Sequence, residues 1–254
     1  MTVGQGGQGQ AAGTDTPPVQ KEETPQEAVV RLQQELAFLQ NKLQVVGSVT
    51  RHDILNQMTA IMGYNEILLS MIEDEKLRRY LTIEHEATEK MRRIFAYSKV
   101  FQLTGTEPPR WQRLDGIVHM ACDEADLKSV SVRQGAGPVS LFTEPQIYKV
   151  FSYLFDNAVR HGKTTTEIRL TINPGPENAV LVVEDNGSGI PGTSREKIFD
   201  HGFGKYTGWG LFVARYIVEA NGMTIRETGQ PGKGARFEIV IPNERIRIGT
   251  EKTG

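Results

Sequence analysis

Large apolar side chains recur at Val29, Leu32, Leu36, Leu39, Leu43 and Val46, at spacings of 3, 4, 3, 4 and 3. Such a heptad seam predicts a helix that seeks a partner helix. The pattern then changes phase and resumes as Leu55, Met58, Met62, Asn65, Leu69 and Ile72 at the same spacings. One long helix with a local irregularity at about 47–53 is the simplest account. Glu73-Asp74-Glu75 reads as a helix-to-helix turn, after which Leu77, Tyr80, Ala87, Met91, Ile94 and Phe101 keep a helical stripe broken by Glu84 and Ser98. Two helices with one stripe each make a thin hairpin. Pairing two hairpins into a four-helix bundle buries far more apolar surface, so a homodimer is expected.

Around this region the texture differs. Residues 1–24 hold only Met1, Val3 and Val19 as sizeable apolar side chains, too few to offset the ordering entropy, and read as a disordered tail. Gly105-Thr106-Glu107-Pro108-Pro109 contains the clearest breakers between two patterned regions and marks a linker after a helical segment spanning 25–104. Beyond it, helices are predicted at about 112–125, 145–161 and 208–220, and strands at about 129–133, 166–172, 179–184, 223–228 and 235–241. Turns fall at Asn173-Pro174-Gly175-Pro176 and Gly229-Gln230-Pro231-Gly232. The expected fold is multidomain: an all-α hairpin forming a dimeric four-helix bundle, then an α+β sandwich with a largely antiparallel sheet over 110–243, then a polar tail at 244–254.

Composition narrows the function. The 29 Lys and Arg against 31 Asp and Glu leave a formal charge of −2 and no basic run to neutralise a nucleic-acid backbone, so no nucleic-acid partner is expected. Cys122 is the single cysteine, which excludes an intrachain disulfide and a multi-thiolate metal site and suits a reducing, cytoplasmic compartment. The longest apolar stretches fall short of the roughly 20 residues needed to cross a bilayer, so no direct membrane insertion is expected.

Four clusters carry candidate chemistry. In Phe155-Asp156-Asn157-Ala158-Val159-Arg160-His161-Gly162, Asn157 can offer an amide oxygen to a hard cation and Arg160 can face phosphate oxygens, although an asparagine near a helix end also serves as a cap. In Glu184-Asp185-Asn186-Gly187-Ser188-Gly189-Ile190-Pro191, a carboxylate leaving a strand can accept from an exocyclic amine, and Gly187 and Gly189 let backbone approach a flat ring. The same residues also make an ordinary turn. Gly202-Phe203-Gly204-Lys205-Tyr206-Thr207-Gly208-Trp209-Gly210-Leu211 opens a helix whose amides can meet an anion, with Lys205 adding a mobile positive charge, or is simply a flexible loop. Gly232-Lys233-Gly234-Ala235-Arg236-Phe237 is equally a plain hairpin.

Taken in order, these clusters resemble the ATP-binding domain of sensor histidine kinases, in the superfamily shared with gyrase and mismatch-repair ATPases. The N box is similar to residues 150–162, the first G box to 185–189, the F box to Lys197-Ile198-Phe199 through Phe203, the second G box to 208–212 and the last to 232–237. The resemblance implies ATP and Mg²⁺ as cofactors, with Asn157 on the metal and Asp185 on the adenine amine. It further implies an adenine pocket shaped by Gly187, Gly189 and Ile190, phosphate closure by Lys205, Thr207, Gly208, Gly210 and Leu211, and N-box edges at Arg160 and His161. Two departures stand out: Tyr153 replaces the earlier N-box asparagine, and the lid between Phe203 and Gly208 is very short. Trp209 also stands where a smaller residue is usual; backbone amides make the phosphate contacts, so a bulky side chain pointing away is compatible.

Upstream, an ideal helix turning roughly 100° per residue places Leu55, Met62 and Leu69 about 60°, 80° and 100° to one side of His52, which therefore flanks the seam. Asn56, Thr59 and Gly63 fall within about 40° of it and form a small polar stripe open to an approaching molecule. Arg51-His52-Asp53-Ile54-Leu55-Asn56-Gln57 resembles the phosphoacceptor box of histidine kinases, in the variant without the usual proline. The resemblance implies His52 as acceptor, Asp53 as the group orienting the imidazole, and Asn56 as a residue that can direct water at an acyl phosphate in a phosphatase reaction. Implied partners are a second copy, a response-regulator receiver domain and an upstream sensor module driving residues 25–46. The competing reading is a catalytically degenerate dimeric scaffold that binds nucleotide without transferring phosphate.

Overall fold

The computed structural model describes residues 24–135, 137–204 and 208–249. Helix α1 runs from Pro25 to Met71. Its start is a capping box: the Glu27 carboxylate accepts from the Thr24 N–H (2.9 Å), and the Thr24 hydroxyl oxygen accepts from the Glu27 N–H (3.3 Å), with Pro25 at the first helical position. The helix is unbroken through 47–53, so the phase change of the seam is absorbed without interrupting α-helical bonding. Val29, Leu32, Leu36, Leu39 and Leu43 are each more than half exposed on the single chain.

Asp74 ends the turn by accepting the Leu77 N–H at 2.9 Å and so caps α2, Glu75–Leu103. Arg78 closes the other side, donating to the terminal α1 carbonyls of Leu69 (2.8 Å) and Ile72 (3.0 Å). Inside the hairpin the seam position Asn65 is buried; its amide donates to the Leu81 carbonyl at 3.0 Å and to the Glu84 carboxylate.

The remaining elements are β1 (Arg110–Arg113), α3 (Leu114–Glu124), β2 (Ser131–Gln134), β3 (Val139–Thr143), α4 (Tyr148–His161), β4 (Glu167–Asn173), β5 (Asn178–Asp185), α5 (Gly210–Ala220), β6 (Thr224–Glu227), β7 (Arg236–Pro242) and β8 (Ile246–Ile248). One sheet has the order β2-β4-β5-β7-β6, antiparallel except for the parallel β2–β4 pair. Alternate residues of its strands, such as Ile168 and Leu170 or Phe237 and Ile239, join Leu114, Phe151, Phe155 and Ile217 of the helices in one core.

Three strands depart from the sequence expectation. β1, β3 and β8 form a second small sheet in the order β1-β3-β8. The helix expected from about 112 begins at Leu114 because Arg110–Arg113 pairs with β3. The start of the expected polar tail is structured: Ile246 is buried in β8, and the Arg247 guanidinium lies 3.8 Å from the Trp111 ring centre. Residues 1–23 and 250–254, expected to be tails, lie outside the described residues.

The chain divides into two compact units, one ending at Val45 and one starting at Val46. Within the second, α2 packs on α5: Phe101 stands 4.3 Å from Tyr216 and 6.3 Å from Phe212 between ring centres. Arg51 of α1 donates to the Gln102 side-chain carbonyl at 2.9 Å. After α2 the buried Thr104 leads into the linker, whose first residue, the exposed Gly105, donates its N–H to the Glu144 carboxylate at 2.8 Å. The Glu144 N–H in turn donates at 2.8 Å to the side-chain oxygen of Asn221, the residue that ends α5.

Candidate functional site

Helix α4 buries Val150, Phe151, Leu154, Phe155 and Ala158, a helical stripe that leaves Asp156, Asn157 and Arg160 on its partly exposed flank. These three, with His161, line one wall of a cleft of about 80 Å³. Ile198, Phe203, Gly204 and Gly208 line another, and Gly210 and Leu211 at the start of α5 close its floor. Six predicted site residues therefore share one cavity: Asn157, Arg160, His161, Gly208, Gly210 and Leu211. Lys205 and Thr207 lie outside the described residues.

The short lid is pinched at its base, where the Gly202 N–H donates to the Gly208 carbonyl at 3.2 Å. Gly208 has φ of +65°, and a Cβ there would strike the Gly202 and Phe203 backbone, so only glycine fits. Trp209 points away from the cleft amides: its ring stands edge-on to His201 (4.6 Å) and to Phe212 (6.2 Å). Tyr153, the departure in the N box, is buried edge-to-face against Tyr97 of α2 at 5.1 Å, and burial pushes its hydroxyl far above the ordinary tyrosine range. Burial likewise raises the Asp156 carboxyl, opposed by the Arg160 guanidinium at 3.7 Å and by Arg93.

Asp185 ends β5 as a buried carboxylate. Its Oδ1 accepts from the Gly187 N–H (2.8 Å) and the Ala235 N–H (3.3 Å). Both bonds fall on one oxygen, which leaves the other for a ligand donor. Burial raises the Asp185 carboxyl above the usual carboxylate range, against the lowering effect of those two N–H groups. Gly187 packs on Gly162, while the Ser188 N–H donates to the Gly162 carbonyl at 3.0 Å, so the two boxes are tied together. Gly189, with φ of +69°, has the carbonyls of Gln230 and Gly234 only 2.8 Å from any added Cβ. Gly189→Ala is expected to cost about 2 kcal/mol from the left-handed backbone alone, lowering the thermal midpoint measurably, with nucleotide titration of the surviving folded protein showing a damaged pocket.

Far along α1, His52 is exposed. Its Nδ1 lies 3.2 Å from an Asp53 carboxylate oxygen and 3.3 Å from the Asn56 amide nitrogen, so the three predicted residues do meet. Which nitrogen carries the proton is set by these partners; with Asp53 as acceptor, Nδ1 holds it and Nε2, 3.5 Å from the Asn56 amide nitrogen, carries the lone pair.

Several residues were not legible in sequence. Arg93 and Tyr97 bring α2 to the cleft, four apart on one helical face that is distinct from the bundle stripe. Asn186, which the sequence already placed in a turn, holds that turn after β5 through bonds with no sequence signal, accepting from the Thr166 N–H (2.9 Å) and the Glu167 N–H (3.1 Å). The side chain of Glu227, fully buried, pairs with Arg195 at 3.0 Å and accepts from the Gly229 N–H at 2.9 Å, bracing the last glycine turn against the segment leading into the lid.

Residues 143–245 match the family described as histidine kinase-, DNA gyrase B- and HSP90-like ATPases. The signal transduction histidine-protein kinase AtoS of Escherichia coli K12 is 25% identical over 205 residues, 75% of this chain and 33% of that protein. The alginate biosynthesis sensor protein KinB of Pseudomonas aeruginosa is 35% identical over 102 residues, 38% of this chain and 17% of that protein. The chain thus spans a third or less of these two relatives. Among solved structures, full-length ShkA in complex with AMPPNP shares the fold, with a TM-score of 0.57 at 16% identity over 81% of this chain and 46% of that one. Among the described residues no helix is long and apolar enough to cross a membrane. Residues 143–245 are thus similar to an ATPase domain of that family, and the hairpin and this domain together are similar to part of a sensor histidine kinase.

Proposed function

We propose that this chain is an ATP-dependent protein histidine kinase that phosphorylates its own His52 and passes the phosphoryl group to an aspartate of a response-regulator receiver domain. The observation that carries the reading is the pairing of an exposed, carboxylate-oriented imidazole on a helical hairpin with a downstream cleft that gathers Asn157, Arg160 and glycine amides at the mouth of α5. Phosphoryl transfer asks mainly for in-line positioning and charge neutralisation. Asp53 accepts a hydrogen bond from the Nδ1–H, which stays on the ring, so the Nε2 lone pair of His52 attacks the terminal phosphorus and the bond to the bridging oxygen breaks, its electrons leaving with ADP. Asp53 also offsets the positive charge that develops on the ring. Arg160 and the amides at Gly208 and Gly210 hold phosphate oxygens.

The cleft fits a magnesium ion, since such an ion takes one or two protein oxygens and completes its shell with phosphates and water. Asn157, with the Asp156 carboxyl beside it, would hold it; when bound, the ion supplies charge neutralisation on the departing phosphate. At the other end of the nucleotide, Asp185 accepts the adenine amine, and Gly187, Gly189 and Ile190 flank the ring. Asn56, one turn beyond His52, orients water toward the acyl phosphate of the receiver aspartate, which the water hydrolyses to release phosphate in a phosphatase reaction. The exposed apolar seam of α1 supports pairing with a second copy.

Incubating the full chain with Mg²⁺ and ATP labelled on the γ-phosphate tests the reading: acid-labile, alkali-stable label on the protein supports it, and an unlabelled protein that still binds nucleotide makes the chain a scaffold. A pH dependence follows from Asp185. Only its carboxylate accepts the amine, and burial raises the pH at which it protonates. ADP affinity is therefore expected to fall on acidification at a higher pH than an exposed aspartate would dictate, whereas Asp185→Asn is expected to bind weakly across the range without that step. Titrations of ADP affinity against pH check both.

A further inference from the structure

Arg93 belongs to α2, yet its side chain lines the nucleotide cleft beside Asp156 and Asn157. Its ion pair with Glu89 is long, 3.7 Å, and Glu89 sits closer to Arg92 at 3.1 Å. One turn further on, the Tyr97 hydroxyl reaches to 3.6 Å from a Cβ placed on Gly210, the first residue of α5. The hairpin thus brings a guanidinium to the end of the cavity where Arg160 and the glycine amides already converge, and the Tyr97–Tyr153 contact holds it there. Two arginines, 30% and 29% exposed, flank the half-buried Asp156 carboxyl, each 3.7 Å from a carboxylate and in a partly shielded setting.

We infer that Arg93 is a phosphate-recognising residue supplied by the hairpin, taking the terminal phosphate of a nucleoside triphosphate and so distinguishing it from the diphosphate. The inference rests on the nucleotide site proposed above. A planar guanidinium suits a phosphate's paired oxygens, and its interaction is worth most where water is partly excluded. When the terminal phosphate is lost, Arg93 loses its ligand while contacts to adenine and to the inner phosphates persist. By reciprocity, the triphosphate then favours the docked position of α2 on the ATPase domain more than the diphosphate does.

The test titrates the full chain, with Mg²⁺, against ADP and against AMPPNP, which cannot transfer its terminal group. In Arg93→Ala, AMPPNP affinity is expected to fall about tenfold, the scale of one charge-assisted contact, and ADP affinity less than about twofold. Arg93→Lys, which keeps the charge and loses the fork, is expected to fall between them and guards against misfolding of the alanine variant. A purely structural role would weaken both nucleotides equally, and an unchanged AMPPNP-to-ADP ratio in both variants overturns the inference. If the unsubstituted chain binds neither nucleotide, the nucleotide reading itself fails and takes the inference with it.

Discussion

His52→Ala is expected to reduce label transferred from γ-labelled ATP to background, a loss of more than about a hundredfold, because the variant removes the nitrogen that receives the phosphoryl group. ADP affinity should be unchanged, since the side chain is exposed and its bonds to Asp53 and Asn56 stay within one turn of α1. For the same reason stability should shift by only a few tenths of a kcal/mol, as for exposed surface positions generally. Retained labelling in this variant would move the acceptor elsewhere; a simultaneous loss of ADP binding would mean that the helix had been disturbed. Asn56→Ala offers a contrast: labelling is expected to survive while removal of phosphate from the receiver partner slows.

Asn157→Asp should be nearly as severe, with labelling down about a hundredfold, but by a different route. The substitution places a second carboxylate next to Asp156, whose carboxyl burial already raises. Two adjacent carboxyls share protons or repel, and either outcome alters the oxygen donor presented to a cation and adds negative charge facing the phosphates. Mg²⁺-dependent nucleotide binding should weaken markedly, while thermal stability changes little because Asn157 is only half-buried on the α4 flank. Normal labelling across a magnesium titration would remove Asn157 from the metal-binding role.

Much of this could be read from residue order. The seam on α1 and the stripe on α2 are set by periodicity, and the Asp74 cap lies where an acidic triplet announced a turn. The helices expected at about 145–161 and 208–220 are seen as Tyr148–His161 and Gly210–Ala220, because apolar spacing and a glycine-rich start outweigh local ambiguity. Other features had no local signal. β1, β3 and β8 are four, five and three residues long and lie beside the linker, a helix start and the polar tail, so their sequence does not mark them, and pairing with one another makes them strands. At the site, Asp185 and Asn157 were marked by their boxes, whereas Arg93 and Tyr97 look like any helix surface until tertiary packing turns their face to the cleft. The Glu227–Arg195 pair was hidden for the same reason: burial, and not residue type, makes it a brace.

The Gly105 bond to Glu144 changes what sort of joint the Gly-Thr-Glu-Pro-Pro segment makes. A bare stretch of breakers would swivel, with every angle nearly equal in energy. Here one angle is notched, because leaving it strips a mostly buried carboxylate of a backbone donor, at about 2 kcal/mol for a charged partner. Motion across the joint should therefore click between positions, and the hairpin will spend most of its time latched rather than drifting.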